Sequence, residues 1–441
     1  METLAAWTEG QYRHAAKAML ASVSPLDVVK TRPGFGQVIR PRRGAIVASP
    51  VLADYDPEPD YFFHWYRDSA LVADALRLLS PDATQPLQAL SHFADFVDFS
   101  RSLRLLDGRT LIAASAWRAR VQPAMRKFLR TDTDLAAAHD QAIAAETRVN
   151  ADGTLDITRW PRPQHDGVAL RALCVMRWAR STRLDADLDA ACAALVDADL
   201  AYTRAHWREP CFDIWEEEQG LHYYTLCVAA AALEEGAQWL EGRADLPAAQ
   251  ACRTQARLID TMLDGFWLAE RGHYGSRILA AGAQSAKQLD IAVILAAIHA
   301  SRSGDTHSVH DPRMHATLAR LDELFDAQYP INRGRGAGLG PALGRYAGDV
   351  YFSGGPYYFS TLAAAEFCYR AAVRGGKSRA LVERGDGYLA TVRAFVPASG
   401  ALSEQFDGST GAQTSARELA WSYAAFISCI AARRQVIAGN D

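Results

Sequence analysis

The chain has 441 residues, 49% hydrophobic and 22% charged, a balance that supports a large buried core and excludes a disordered polypeptide. Its 47 basic and 51 acidic residues give a net charge of −4 and are intermixed along the chain, which excludes the basic stripe of a nucleic-acid binder. No apolar run is long enough to cross a bilayer, and no linker rich in Ser, Pro or Gly divides the sequence, so one domain over 1–441 is expected, with neither nucleic acid nor membrane as partner.

The first stretch, METLAAWTEGQYRHAAKAML, lacks the basic segment followed by a continuous apolar segment that marks a secretory leader. It reads as a helix, followed by one of the few short strand signals, GAIVASP at 44–50. From there apolar residues recur at i, i+3 and i+4 in RDSALVADALRLL (67–79), HDGVALRALCVMRWA (165–179), LDADLDAACAALVDADLAYTRAHW (184–207) and YYTLCVAAAALEEGAQWLE (223–241). The same spacing continues in LDIAVILAAIHA (289–300), YYFSTLAAAEFCYRAAV (357–373) and SARELAWSYAAFISCIAARR (415–434). The expected class is all-α. TDTD at 131–134 and SARE at 415–418 read as helix N-caps with acids in the first turn.

The seven cysteines are odd in number and form no CxxC pair, and Cys174, Cys227, Cys368 and Cys429 lie in apolar helices rich in small residues. Buried free thiols and a cytoplasmic location are expected. His307, His310 and His315 in HSVHDPRMH lack metal-ligand spacing and a nearby Cys pair. They read as a polar loop, and neither a metal nor a cofactor is expected. The glycines of RGRGAGLGPALGR follow no strand and have the wrong spacing for a dinucleotide site.

Two kinds of helix differ in how they begin. One kind follows a loop rich in aromatics, acids and arginines: PDYFFHWYRD, WPRPQHDG, FDIWEEEQG, GRYAGDVYFSGGPYYF and LSEQFDGSTGAQTS, with GAQSAKQLD filling a gap before about residue 291. The other kind begins blandly. From residue 167 the decorated entrances recur about every 55 to 70 residues, roughly one helical hairpin. A closed ring of hairpins accounts for this, residues 45–432 forming the barrel and 1–44 an N-terminal helix and lead-in. The rim loops would then bring Arg67, Asp68, Trp160, Glu216, Arg345 and Glu404 to one pocket.

A solvated acidic helix face would explain Glu216, Glu217 and Glu218 but has no use for Trp215. Two carboxyls across a cleft, flanked by aromatics and Arg/Asp pairs, are what cleavage of a glycosidic bond requires: one protonates the departing oxygen, the other activates water or attacks carbon. Capping ion pairs and loop arginines explain the same residues taken singly, so the residues alone leave both readings open.

Five stretches together decide the matter by resemblance. DYFFHWYRD, WPRPQHDG, FDIWEEEQG, GRYAGDVYFSGGPYYF and LSEQFDGSTGAQTSARELAW resemble, in order, the rim loops of glycoside hydrolase family 15, the glucoamylase family. The resemblance implies an (α/α)6 barrel and an inverting, exo-acting α-glucosidase that releases β-D-glucose from non-reducing ends of α-linked gluco-oligosaccharides, α-1,4 first. It makes Glu216 the general acid and Glu404 the general base, and implies carboxyls about 6.5 to 9.5 Å apart. Arg67, Asp68 and Arg345 would grip the terminal glucose, Tyr61 would support the transition state, Trp65, Trp160 and Trp215 would form walls, and Glu217 would bind a hydroxyl beyond the scissile bond. Asp349, Gln405 and Asp166 fall on similar positions, where sugar contact and loop structure both remain open. Tyr357 stands where the family often has Trp and would narrow the aromatic platform beyond the bond. The alternatives are another α-linkage, α-1,6 or trehalose, or a non-catalytic glycan-binding domain, in which loss of one carboxyl would be expected. A short oligosaccharide substrate and a monomer or weak homo-oligomer complete the expectation.

Overall fold

A computed structural model describes residues 3–55, 57–79, 86–374 and 378–438. Its α-helices run in chain order as α1 (Leu4–Leu20), α2 (Tyr66–Arg77), α3 (Pro86–Leu103), α4 (Gly108–Ala113), α5 (Asp132–Ala137), α6 (Asp166–Ser181) and α7 (Ala186–His206). They continue as α8 (Tyr223–Gly242), α9 (Leu246–Asp264), α10 (Ala292–Ala300), α11 (Pro312–Gln328), α12 (Tyr358–Ala372), α13 (Ser378–Phe395) and α14 (Ala420–Ala438). Helices α2, α6, α8, α10, α12 and α14 each contact the next, and α14 returns to α2, which closes the ring. Each carries one outer partner: α3, α7, α9, α11, α13 and α1 respectively. This is the expected (α/α)6 barrel.

The two kinds of helix have two burial patterns. An inner helix faces neighbours on both sides, its outer partner behind and the axis in front, so it has no side toward water. Helix α8 is accordingly buried without a break from Tyr223 to Leu233, and α12 from Tyr358 to Tyr369. Both are rich in alanine, which keeps the helix slim enough for six to surround one axis. Outer helices bury only a stripe, Ala249, Cys252, Ala256, Ile259 and Leu263 in α9, and Met314, Thr317, Leu318, Leu321 and Phe325 in α11. Helix α10 is the shortest of the ring, and Arg177 and Arg370 cap its last carbonyls, at Ile298, His299 and Ala300.

Short strand pairs precede several inner helices. Phe63–Trp65 pairs with Arg148–Asn150 before α2, Cys211–Phe212 and Arg277–Leu279 flank Gln219–His222 before α8, and Gln405–Phe406 pairs with Gln413–Thr414 ahead of α14. These ladders aim the loops that carry the polar residues.

Four expectations change. The N-terminal helix is not a lead-in: α1 packs on α14 as the outer member of the last pair. GAIVASP makes a single bridge, Val23 with Ile46, and its other backbone bonds are scattered: Val47 N donates to the Ser22 carbonyl, Ala48 N to that of Phe63 and Ser49 N to that of Tyr61. TDTD caps α5 with a full capping box, but SARE caps nothing. Ser415 and Glu418 have left-handed φ of 63° and 49°, and α14 starts only at Ala420. The HSVHDPRMH stretch is a packed corner rather than a solvated loop: His307 is buried against the Tyr223 hydroxyl, and His315 lies within α11 and meets the Val309 carbonyl.

Gly167 marks a close approach of two inner helices, α6 and α2. A Cβ there would lie 2.7 Å from Tyr66 Cβ and 3.0 Å from the Arg67 nitrogen, so any side chain pushes the start of α6 away from the start of α2. Gly167→Ala is expected to cost about 1–3 kcal/mol, the usual range for overpacking, measured as a lower midpoint in urea unfolding. An unchanged midpoint would show that this contact is soft.

Candidate active site

The rim loops enclose a cavity of about 280 Å³, at the small end of ligand pockets. Tyr61, Trp65, Arg67, Asp68, Trp160, Trp215, Glu216, Glu217, Arg345 and Glu404 all line it. They come from the first turn of α2 and the segments that lead into α2, α6, α8, α12 and α14, so only ring closure makes them neighbours.

The 213–218 turn shows how three consecutive glutamates are placed. Asp213 Oδ1 accepts the backbone N–H groups of Trp215 and Glu217, Oδ2 accepts that of Glu218, and its carbonyl accepts that of Glu216. Arg277 Nη1 holds Asp213 Oδ2 at 2.9 Å. The turn so wound puts Glu216 at φ 65°, in the left-handed region uncommon for a residue with a side chain. The three carboxylates consequently point to three different sets of partners. Glu218 meets Arg277 at 2.7 Å and Ser285 at 2.8 Å. Glu217 meets Arg345 at 3.0 Å, Lys287 at 2.6 Å and the Tyr346 hydroxyl. Burial works to raise the Glu217 carboxyl, but Arg345 and the donated hydrogen bonds outweigh it and leave the group below the usual range.

Glu216 lines the cavity with no cation in hydrogen-bond range. Trp65 Nε1 donates to its Oε1 at 2.7 Å and Trp160 Nε1 donates to its Oε2, while Arg67 Nη2 stands 3.7 Å away. The tryptophans expected as walls are therefore also its hydrogen-bond donors.

Glu404 precedes the Gln405–Phe406 strand and comes from the other side of the cavity. Ser415 Oγ donates to its Oε2, which is the role that the left-handed Ser415 fulfils in place of a cap. The Tyr61 hydroxyl lies 3.5 Å from both carboxylate oxygens and bonds the Tyr351 hydroxyl at 2.6 Å. Burial raises the Glu404 carboxyl to about 7, against the opposing effects of Ser415 and Arg345 and with Asp68 and Asp349 adding to the rise. Burial and the Glu404 charge also raise the Tyr61 phenol, so it remains a neutral donor.

Arg67 is fixed from behind: its Nη1 bonds Gln164 at 3.0 Å and Asp166 at 3.2 Å. Asp166 thus does structural work, holding the arginine rather than lining the cavity. Beside it Asp68 is buried, and its Oδ2 has no hydrogen-bond partner. Burial lifts its carboxyl to about 6, with Glu216 and Asp166 pushing the same way and Arg67 opposing. Asp68 Oδ2 is closed to solvent and stands 3.5 Å from Arg67 Nε, which itself has no hydrogen-bond acceptor.

Tyr357 was expected to face the sugar beyond the bond, and for Asp349 and Gln405 both sugar contact and loop structure were open; none of the three lines the cavity, and they bond to one another behind Arg345. Gln405 Nε2 donates to the Tyr357 hydroxyl at 2.7 Å, Tyr357 donates to Asp349 Oδ2 at 3.4 Å, and Asp349 holds Arg345 through two bonds of 2.5 and 2.6 Å. The alternation of a strand turns Gln405 away from the side that Glu404 faces. Tyr357 is only 1% exposed and lies under Arg345, so it offers no platform to a sugar. These three residues form a chain whose end product is the position of Arg345.

Tyr351, Phe359 and Trp421 also line the cavity and were not expected. Phe359 and Trp421 stack at 4.2 Å with an angle of 3°, and Trp215 lies nearly parallel to both. Tyr351 belongs to a loop already singled out, and its proximity to Tyr61 gave no sequence signal. Phe359 and Trp421 sit in helices that read as plain core.

A model of the family described as Glycosyl hydrolases family 15 matches residues 34–95, 114–382 and 377–431. Glucoamylase-1 of Arthroderma benhamiae is 29% identical over 442 residues, covering 90% of this chain and 66% of its own length. The probable glucoamylase of Schizosaccharomyces pombe is 28% identical over 437 residues, covering 90% of this chain and 86% of its own. Among solved structures, the glucoamylase of Hormoconis resinae has a TM-score of 0.77 at 26% identity over 98% of this chain and 74% of its own. The family 15 glucoamylase from Hypocrea jecorina, at 24% identity, shares the fold with a TM-score of 0.79 over 98% of this chain and 73% of its own. The chain spans 66% of the Arthroderma protein and 64% of the Neurospora crassa glucoamylase. With the family model matched along most of its length and the same ring of hairpins around one cavity, the chain belongs to glycosyl hydrolases family 15.

Proposed function

We propose that this chain is an inverting, exo-acting α-glucosidase of glucoamylase type, which removes β-D-glucose from the non-reducing ends of short α-linked gluco-oligosaccharides, α-1,4 linkages first. One observation carries the proposal: two half-buried carboxylates with no hydrogen-bond partner in common, Glu216 and Glu404, face one small cavity that Arg67, Asp68 and Arg345 also line. Family membership supports Glu216 as the acid that protonates the glycosidic oxygen and Glu404 as the base that takes a proton from the attacking water. A base with its carboxyl near 7 is well matched to proton abstraction at neutral pH. Asp68 and the guanidiniums of Arg67 and Arg345, all lining the cavity, bind hydroxyls of the terminal glucose. Tyr61, neutral and 3.5 Å from Glu404, borders the place where positive charge develops on the ring. Part of the same proposal are Glu217 as a contact beyond the scissile bond and a cytoplasmic location, the latter supported by seven buried, unpaired thiols. Cleavage of α-1,6-linked glucosides or of trehalose is the second reading. The presence of both carboxyls in the cavity favours an enzyme over a binding domain.

The reading is tested by incubating the protein with maltose, maltotriose, isomaltose and trehalose and following products by proton NMR. Glucose is expected as the sole small product from maltotriose beyond the remaining disaccharide, appearing first as the β anomer. Initial α-glucose would overturn inversion, and turnover of trehalose alone would replace the linkage.

If both carboxylates act on one bond, each is indispensable. Glu216→Gln and Glu404→Gln are each expected to lower kcat by at least about 10³-fold without a shift in Tm. A Glu404→Gln variant that keeps a tenth of the activity would refute the base assignment.

The pH dependence follows from the sign of the Glu404 shift. The base works ionised, and its carboxyl is raised to about 7, so kcat/KM should climb with pH through about 7 and fall off below it. The Ser415 hydrogen bond favours the carboxylate, and Ser415→Ala is expected to move this acid limb to higher pH. A limb that stays in place or moves down would show that Ser415 does not tune the base.

A further inference from the structure

Arg148 does not line the cavity, yet it is wholly buried directly behind it. Its guanidinium carbon lies 3.5 Å from the centre of the Trp160 ring, 4.8 Å from that of Trp65 and 4.0 Å from that of Phe63. Trp160 and Trp65 are the two indoles whose N–H groups donate to the two oxygens of Glu216. The two rings meet edge to face, with centres 6.1 Å apart and planes at 79°. Rings so disposed do not lock each other, and a third body in contact with both is needed to hold the angle between them.

Arg148 is built in as that body. The ladder sets it directly across from Trp65, where cross-strand side chains touch. Asp156 takes its Nε at 2.9 Å and Thr158 takes its Nη2 at 3.3 Å. Asp156 is itself buried and held at about 2: burial opposes ionisation, and Arg148 and Arg162 outweigh it. Arg148 Nη1 has no hydrogen-bond acceptor. A fully desolvated guanidinium with an unmatched N–H is costly, and the ring faces around it are the compensation available. An apolar side chain would fill the space at lower desolvation cost, but it would not stack a rigid plane on the indoles.

We propose that Arg148 is a positioning residue for Glu216: it fixes the planes of Trp65 and Trp160 so that each N–H meets one carboxylate oxygen. The inference rests on the reading of Glu216 as the catalytic acid. Arg148 touches neither substrate nor the reacting atoms and acts only through the two indoles.

A double-mutant cycle tests it. With maltose as substrate, Arg148→Met is expected to lower kcat about tenfold or more, a loss of 1.4 kcal/mol per factor of ten, while KM moves less than about threefold. Trp160→Phe keeps the ring and removes the N–H. In that background Arg148→Met should cost less than about threefold further, because the group through which it acts is gone. Arg148→Lys keeps the charge against Asp156 but not the planar face. If the Met variant does not fold, the Lys variant is expected to fold and to show a kcat loss of about threefold or more with the same non-additivity. Wild-type kcat in the folded variants, or losses that multiply, would overturn the proposal. A readout without turnover separates this from the functional reading. In spectra of nitrogen-labelled indoles, Glu216→Gln and the folded Arg148 variant should move the same two N–H resonances. If the wild type cleaves no glucoside, the functional reading fails, and these resonances still decide the role of Arg148: common shifts support it, and unmoved indoles in the Arg148 variant refute it.

Discussion

A helix in the inner wall of a closed ring has no side that faces water. The rest of this structure depends on that constraint. Polar side chains along such a helix would be desolvated without partners, at a cost of about 1–3 kcal/mol each by mutational measures, so α8 and α12 are long unbroken runs of buried and largely small residues. The polar groups that remain inside the ring concentrate where helices begin and end. At one rim the loops have room to converge, and there the acids, arginines and indoles gather around the cavity. At α10 the opposite need is met by Arg177 and Arg370, which satisfy carbonyls that a short helix leaves open.

The same logic of desolvation orders the rim itself. Buried charges persist when they are paired and hydrogen-bonded. Asp213, Glu218 and Asp290 share Arg277. Glu217 and Asp349 share Arg345, and Asp156 joins Arg148 and Arg162. Against this background of satisfied pairs three carboxylates differ. Glu216 is met by indoles, Glu404 by a serine hydroxyl and a distant tyrosine, and Asp68 keeps one oxygen unbonded. Arg67 stands 3.5 Å from Asp68 and 3.7 Å from Glu216, and all three of these carboxylates line the cavity.

Much of the site was legible in sequence because chemistry and helix entrances coincide. DYFFHWYRD supplies Tyr61, Trp65, Arg67 and Asp68 within eight positions, and DIWEEEQG supplies Trp215, Glu216 and Glu217. Residues were misplaced where the local reading carried no direction. Asp349, Tyr357 and Gln405 have suitable side chains in suitable loops, but their orientation depends on which neighbour each side chain meets, and they meet one another. SARE has the composition of a cap, and a left-handed Ser415 instead turns its hydroxyl to a carboxylate eleven residues back along the chain. Arg148 carried no sequence signal at all, because an arginine under two indoles has the same local pattern as one on a surface strand.

The sequence by itself determined the helical class, the existence of two kinds of helix and the loops that carry polar function. These follow from periodicity and from residue type, which act over a few positions and are visible in a linear string. Only the tertiary structure decided that α1 belongs to the ring, that Phe359 and Trp421 form part of the cavity, and which partners each of the three glutamates meets. Each of those outcomes is set by contacts between segments far apart along the chain, such as Arg345 with Glu217 or Trp160 with Glu216. The physical reason is ring closure: a helix face becomes axis, seam or surface only when its neighbours arrive, and nothing in the local sequence distinguishes the three.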